Sequence, residues 1–167
     1  MRKTGVLLFV VLAMAVPASG QTKLSATSHC AKANPEYSID VGDKPGHMLT
    51  ARKAECTWDG LQIAGMNVKS GQDVSTGEIT GATMRDNGYH TATADNGDKF
   101  TVHFTGTSTM AKDNTGTFTG KWTFVSGTGK LKSIKGGGTF KGKANADGTA
   151  DFSIEGDYSL VPAAGKK

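Results

Sequence analysis

The stretch Gly127-Thr-Gly-Lys-Leu-Lys-Ser-Ile-Lys-Gly-Gly-Gly-Thr-Phe-Lys-Gly-Lys143 decides the fold class of this chain. It continues to an Asp147-Gly148 turn signal and an alternating segment at 151–160. Two strand-like runs thus meet at a tight turn, and glycines cluster at their bends. Glycine inside a strand marks a bulge, a sharp bend or a close approach of two backbones, which closed sheets need. The stretch therefore predicts a small β-barrel.

Elsewhere, apolar side chains recur at every second position in the clearest segments, and no segment keeps a helical period for three turns. The one-sided apolar faces are Phe100, Val102 and Phe104, then Phe118, Trp122 and Phe124, and finally Phe152, Ile154, Tyr158 and Leu160. The opposite faces carry mainly Thr, Ser, Lys, His, Asp and Glu. We predict an all-β fold, a single closed or nearly closed antiparallel up-and-down β-barrel of about eight strands, calycin-like.

Turn signals divide the chain between these runs. Asp-Gly, Asn-Gly and Asp-Asn pairs allow the positive φ of tight hairpins, and they predict turns at Asp59-Gly60, Asp86-Asn-Gly88, Asp95-Asn-Gly97 and Asp113-Asn-Thr-Gly116. Residues 21–35 are predicted to be irregular. Residues 61–68 are predicted to form a short apolar strand, followed by a polar loop at Ser70-Gly71-Gln72-Asp73.

The first twenty residues have the pattern of a secretory signal. A basic start, Met1-Arg-Lys3, precedes an apolar run at 5–16 and the small residues Ala18-Ser19-Gly20. The apolar run of twelve residues is too short to span a bilayer. We predict a signal peptide at 1–20, a β-barrel domain at 21–161 and a disordered tail at 162–167, with the protein periplasmic or secreted.

The charge of the chain argues against nucleic acid as a partner. The formal net charge is +4, and it falls to +2 without residues 1–20, which contain Arg2 and Lys3 but no acid. Lysines gather between 121 and 143, where they are typical of edge protection on strands. The polar faces of the strands also lack the apolar band of a membrane barrel, so no membrane insertion is predicted.

Two cysteines, Cys30 and Cys56, are the only ones in the chain. An even pair in an exported protein predicts a disulfide. The alternative is a metal site made of His29, Cys30, His47 and Cys56, but their spacing matches no metal-binding motif. We predict the disulfide and no metal.

The sequence contains no catalytic motif of known mechanism. There is no G-x-S-x-G, and both cysteines are expected to be bonded to each other. Residues 137–143 fit the first seven positions of a phosphate loop, but Ala144 stands where the metal-binding Ser or Thr belongs. No catalytic residue and no cofactor are predicted.

A family resemblance lies in Trp122-Thr-Phe-Val-Ser-Gly-Thr-Gly-Lys-Leu-Lys-Ser-Ile-Lys-Gly-Gly-Gly-Thr-Phe. This run resembles the strand–GTG–strand signature of small barrels in the allene oxide cyclase and dirigent group, and is most like exported bacterial members of unassigned activity. The similarity covers about residues 95–160. The resemblance implies a barrel whose interior binds apolar molecules: an epoxide in the cyclases, phenolic radicals in dirigent proteins. No catalytic residue of either maps onto this chain.

Six residues form the predicted ligand site. Strand parity places Phe104, Phe118 and Trp122 on an inward apolar face. Arg52 shares its parity with Cys56 and Trp58 and is therefore expected to face inward. The last two are Tyr89 and His103, at the rim or in a polar part of the cavity.

Alternatives remain open for the polar members of this site. His103 lies on the polar face of its strand, so it points either to solvent or into a polar pocket. Arg52 either forms an ion pair with Glu78 at one end of the barrel or holds an anionic ligand.

Three functions fit this pattern. The first is a binding protein for a small apolar or amphipathic ligand, since barrels of about eight strands have room for one. The alternative is a cofactor-free isomerase or cyclase resembling allene oxide cyclase. The third is a filled barrel that acts through its surface. The residues predict neither the identity of a ligand nor an oligomeric state.

The disulfide predicts the outcome of a thiol titration. Exported protein, denatured without reductant, is expected to show no reactive thiol, and two thiols after reduction. Two reactive thiols before reduction would contradict the disulfide and favour the metal site.

Overall fold

The computed structural model describes residues 20–160, in which eight antiparallel strands close into a barrel and two short strands are added to it. The elements are β1 (Thr22–Cys30), β2 (Glu36–Asp40), β3 (His47–Asp59), β4 (Gln62–Ile63), β5 (Met66–Thr80), β6 (Thr83–Ala94), β7 (Lys99–Met110), β8 (Gly116–Gly127), a 3-10 turn (Gly129–Leu131), β9 (Ile134–Ala144) and β10 (Ala150–Leu160). The predicted signal peptide, except Gly20, and the predicted tail lie outside the described residues. None of the described residues belongs to a helix long and apolar enough to cross a membrane.

Strand β3 closes the barrel. Strands β5 to β10 form an antiparallel meander, and β10 pairs with β1. One edge of β3 pairs with β5 over residues 47–57, and its other edge pairs with β1 over residues 56–59. Strands β2 and β4 are additions at the edges of β3 and β5. The predicted up-and-down barrel of about eight strands is confirmed.

The first strand was not expected from the sequence, which predicted residues 21–35 to be irregular. From Lys23 onward, strand β1 alternates strictly between exposed and buried positions. Its inward side chains beyond Leu24 are Ala26, Ser28 and Cys30, which are small or polar. Because such residues contrast little with their neighbours in hydropathy, the period of two is weak in the sequence.

Two predicted breaks also lie inside strands. The predicted loop Ser70-Gly71-Gln72-Asp73 belongs to β5, and the predicted turn Asp86-Asn-Gly88 belongs to β6. The turn between these strands is at Gly81, with φ of +60°. Gly and Asp are typical turn residues, but here Asp73 and Asp86 lie in strands and line the cavity, and Gly88 is buried in β6.

One end of the barrel, called the closed end, is filled by the segment 60–65. This segment was predicted to be part of a strand, but only Gln62–Ile63 is extended, and Ala64 has φ of +53°. Ile63 and Leu131 are fully buried in the apolar core at this end. The Tyr158 hydroxyl accepts a hydrogen bond from the Ala64 N–H at 2.8 Å, which fixes the turn in place.

The other end, called the open end, is surrounded by loops. These are the loops at 31–35, 81–82, 111–115 and 145–149, where strands end or begin. Several of their residues line the interior cavity, Lys32, Gly81 and Gly148 among them. The barrel is therefore closed at one end and accessible at the other.

The anchor of the closed end gives a stability prediction. Tyr158→Phe removes the acceptor of the Ala64 N–H and is expected to lower the free energy of unfolding by about 1–2 kcal/mol. Urea denaturation measures this change. Tyr37→Phe is the matched control because Tyr37 is 65% exposed on β2. Equal effects of the two substitutions would contradict the anchoring role.

Candidate functional site

A cavity of about 600 Å³ lies inside the barrel and reaches the open end. All eight barrel strands contribute side chains to its lining. Its volume is in the range of small-molecule sites, about 300–1,000 Å³. The interior is therefore open rather than filled by side chains.

Strands β7 to β10 form one side of the cavity, called the aromatic wall. Its members are Phe104, Phe118, Trp122, Phe124, Phe140 and Phe152. Edge-to-face pairs with centroids 5.2 Å apart for Trp122 and Phe124, and 6.2 Å for Phe104 and Phe140, fix the rings against one another. Trp122 is only 5% exposed. Three of the predicted ligand-site residues, Phe104, Phe118 and Trp122, thus lie together as the sequence indicated.

Glycines on neighbouring strands make room for these rings. A Cβ on Gly120 would lie 2.3 Å from the Phe140 ring, and a Cβ on Gly156 would lie 2.6 Å from the Trp122 ring. The rings therefore lie directly on strand backbone: Phe140 of β9 lies on β8, and Trp122 of β8 lies on β10, two strands away. This arrangement lines the wall with aromatic faces and still leaves the centre of the barrel empty.

Strands β3, β5 and β6 form the opposite side, called the polar wall, whose members are Arg52, Asp73, Ser75, Asp86 and His90. Arg52 Nη2 donates to Asp86 Oδ1 at 2.9 Å, and its Nε donates to Ser75 Oγ at 3.3 Å. Burial raises the pKa of Asp86, and Arg52 opposes that shift. Arg52 faces the cavity as predicted.

Of the two alternatives left open for Arg52, the ion pair with Glu78 is wrong. Glu78 lies on the outside of β5 and accepts a hydrogen bond from His47 Nε2 at 2.9 Å. Residues of alternate parity on one strand point to opposite faces, so Glu78 cannot share a face with Ser75. Arg52 is paired instead with Asp86, which lies two strands away on β6.

The polar wall also contains a hydrogen-bonded chain of three side chains. Trp58 Nε1–H donates to His90 Nε2 at 3.0 Å, and His90 Nδ1 lies 2.6 Å from Asp73 Oδ1. An indole N–H can only donate, so Nε2 must accept and the imidazole proton is on Nδ1. The network therefore assigns a neutral His90 that donates to Asp73.

The predicted disulfide lies next to this chain. Cys30 and Cys56 are bonded at 2.05 Å across the pair of β1 and β3, and both are buried. Asp73 Oδ2 lies 3.9 Å and 3.7 Å from the two sulfurs, which carry no hydrogen to donate. Within residues 20–160, Asp73 Oδ2 has no hydrogen-bond donor.

The alternative metal site is not assembled in the structure. His29 lies on the outside of β1 and pairs with Asp151 at 2.7 Å, while His47 lies between Asp43 and Glu78. The two sulfurs near Asp73 are joined to each other, and thiolates rather than disulfides bind metals.

Tyr89 and His103 were predicted in the ligand site, and the structure places both outside the barrel. Tyr89 is 52% exposed and its ring lies 5.1 Å from that of His103. His103 Nε2 lies 2.6 Å from Asn87 Oδ1 on the same outer surface. The solvent-facing alternative for His103 is the correct one, so both residues are left out of the candidate site.

Asp73, Asp86 and His90 are the site residues that the sequence-based prediction missed. Asp73 was assigned to a loop and Asp86 to a turn, which removed both from any strand face. A signal was present, because Met84, Asp86, His90 and Ala92 share one parity in an alternating run.

His47 holds a loop at the open end. Its Nδ1 lies 2.6 Å from Asp43 and its Nε2 lies 2.9 Å from Glu78. The hydrogen bonds to Asp43 and then Glu78 raise the pKa of His47, and the bond from His47 lowers the pKa of Asp43. The adjacent Gly46 carbonyl accepts the Gly81 N–H at 3.2 Å, beside the cavity opening.

Comparison with known proteins yields structural neighbours. No protein-family model and no curated protein sequence matches this chain significantly. The pterocarpan synthase dirigent protein GePTS1 is similar in structure at 13% identity and a TM-score of 0.48, covering 93% of this chain and 99% of its own. The pterocarpan synthase dirigent protein PsPTS1 is similar at 14% identity and a TM-score of 0.48, covering 86% of this chain and 97% of its own.

A third similar structure is a conserved protein of unknown function, RPA1785 from Rhodopseudomonas palustris. It is 12% identical with a TM-score of 0.48, over 84% of this chain and 98% of its own. Dirigent proteins, the group that the sequence resembles, are thus among the structural neighbours. The words pterocarpan synthase in two of the names describe those two proteins.

His47 gives a pH-dependent prediction. A histidine with a raised folded-state pKa stabilises the fold fully below its unfolded pKa of about 6.5, and this contribution is lost as the pH rises through the folded value. The free energy of unfolding is therefore expected to fall as the pH rises above about 6.5, and to fall less in His47→Gln.

Denaturation midpoints at several pH values measure this slope. Asp43→Asn should reduce it as well, since Asp43 is the strongest partner of His47. Asp59→Asn changes an exposed carboxylate at the other end of β3 and should leave the slope unchanged. A slope that persists in His47→Gln would rule out His47 as its source.

Proposed function

We propose that this protein binds a small apolar or amphipathic ligand inside the barrel. The observation that carries the proposal is a cavity of about 600 Å³ with an aromatic wall facing a polar wall. An apolar body can pack on the rings of β7 to β10, while polar groups on β3, β5 and β6 offer hydrogen bonds to one end of the molecule. Such a lining, mostly apolar with a few placed polar groups, is typical of ligand sites.

Binding is favoured over catalysis by the state of His90. The nitrogen that could take a proton from a substrate, His90 Nε2, already accepts the Trp58 N–H. His90 is therefore arranged to position Asp73 rather than to take a proton from a substrate. A cofactor-free isomerase would need a base other than His90 in the cavity, such as a carboxylate.

Export is part of the same proposal. The buried disulfide between Cys30 and Cys56 supports an oxidising location, because such bonds persist in the periplasm and outside the cell. The secretory pattern of the first twenty residues is the independent sequence argument.

Fluorescence of Trp122 tests ligand binding. The chain has two tryptophans, so Trp58→Phe leaves Trp122 as the sole reporter. Its emission is expected to be blue-shifted in the folded protein, because Trp122 is buried. Titration with 1-adamantylmethanol, a neutral and ultraviolet-transparent apolar alcohol, should change the emission saturably.

Two substitutions locate the binding site. Phe118→Ala removes a ring that lines the cavity and should weaken binding about tenfold or more. Val125→Ala removes an exposed side chain from the outside of the same strand and should leave binding unchanged. Equal effects of Phe118→Ala and Val125→Ala on binding would refute the proposal. So would the absence of a saturable change in Trp122 emission when apolar probes are added to protein with an intact cavity.

A further inference from the structure

The cavity has the opposite charge to the chain as a whole. Its lining carries four carboxylates, from Glu36, Asp73, Asp86 and Asp147, against the two cations of Lys32 and Arg52. The formal charge of the lining is therefore −2 with His90 neutral, whereas that of the whole chain is +4. A negative cavity attracts cations and repels anions, most strongly where its walls exclude water.

Arg52 does not offset this charge for a ligand. It is paired with Asp86 at 2.9 Å, and its Nε is used by Ser75. Moving Arg52 to an anionic ligand would leave Asp86 buried without its cation, which is costly. The sequence alone left open an anionic ligand held by Arg52, and this pairing argues against it.

Asp73 is a lining carboxylate whose charge no lysine or arginine among the described residues balances. His90 is its hydrogen-bond partner, and the Trp58 N–H keeps His90 neutral. The other carboxylate oxygen, Oδ2, has only the disulfide sulfurs near it among the described residues. The side chain is 26% exposed and lines the cavity, so a bound molecule can reach it. A partly buried carboxylate oxygen without a donor is a binding position for a donor.

The aromatic wall extends to the polar wall at Phe104. A Cβ on Gly88 would lie 2.8 Å from the tip of the Phe104 ring and 2.6 Å from the Cβ of Ser75. Phe104 thus lies over β6, beside the strand that carries Asp73. Cations bind favourably to the faces of aromatic rings, so the aromatic wall and the Asp73 carboxylate both favour a cationic ligand.

We propose that the cavity selects an organic cation, a primary ammonium group on an apolar body. The ammonium group donates to Asp73 Oδ2, and the apolar body packs on the aromatic wall. A carboxylate in the same position would face Asp73 and is rejected. This inference rests on the proposed function, since it presumes that the cavity holds a small molecule.

Three probes of one shape and different charge test the inference. They are 1-adamantylmethylamine, 1-adamantylmethanol and 1-adamantanecarboxylate, titrated calorimetrically into the wild-type protein at neutral pH. The amine should bind about tenfold more tightly than the alcohol, and the carboxylate should bind more weakly than either. Added salt should reduce the difference between the amine and the carboxylate.

Asp73→Asn locates the source of the selectivity. Asparagine keeps an oxygen to accept the His90 N–H but loses the charge, so the amine should lose its advantage and bind no more tightly than the alcohol. Glu155→Gln makes the same charge change on the outside of β10 and should change neither affinity.

The outcomes separate the two proposals. If none of the three probes binds, the cavity is not a ligand site and the proposed function fails. If the alcohol or carboxylate binds as tightly as the amine, the cavity binds ligands but the inferred selectivity is wrong. If Asp73→Asn does not fold, the affinities of the wild-type protein for the three probes still test the selectivity. A preference for the amine that survives in a folded Asp73→Asn would overturn the role of Asp73.

Discussion

Strand β3 is hydrogen-bonded along both edges, and the interior of this protein exists only because of that double pairing. An open sheet would leave its apolar face and its edges in water. The closure is held in two ways besides the backbone. The Cys30–Cys56 bond crosses from β3 to β1, and the side chains of Arg52 and Trp58 reach across β5 to residues of β6. The groups that close the barrel are thus also groups that line its cavity.

The two walls of the cavity are stabilised in different ways. On the aromatic wall, rings lie on glycines one or two strands away, so apolar bulk is held at the periphery and the centre stays empty. On the polar wall, each buried charged or polar side chain is positioned by another one. Removing a single partner, such as Arg52 from Asp86, would leave a buried charge uncompensated, which costs more than the pair contributes. A filled apolar core would be the simpler way to stabilise a barrel of this size, so the retained polar wall and empty centre support the proposed ligand binding.

Sequence-based prediction failed most at the polar wall. Ser70-Gly71-Gln72-Asp73 and Asp86-Asn-Gly88 have the composition of loops and turns, yet both lie in strands and face the cavity in part. Gly71 is needed there because a Cβ would lie 2.3 Å from the His90 ring. Predictions from local sequence are expected to fail mainly where a side chain is selected for function and not for local structure, as in a functional site.

The sequence by itself determined the fold class, the order of the strands from β7 onward, the disulfide and the inward face of Phe104, Phe118 and Trp122. These depend on alternation within one strand, on short turns and on a single pair of cysteines, all of which are local or unique in the chain. Only the tertiary structure decided that Arg52 pairs with Asp86 rather than Glu78, that His90 and Asp73 meet, and that segment 60–65 fills one end. These contacts join strands whose distance and register are set by closure of the whole barrel, and no local pattern in the sequence encodes that closure.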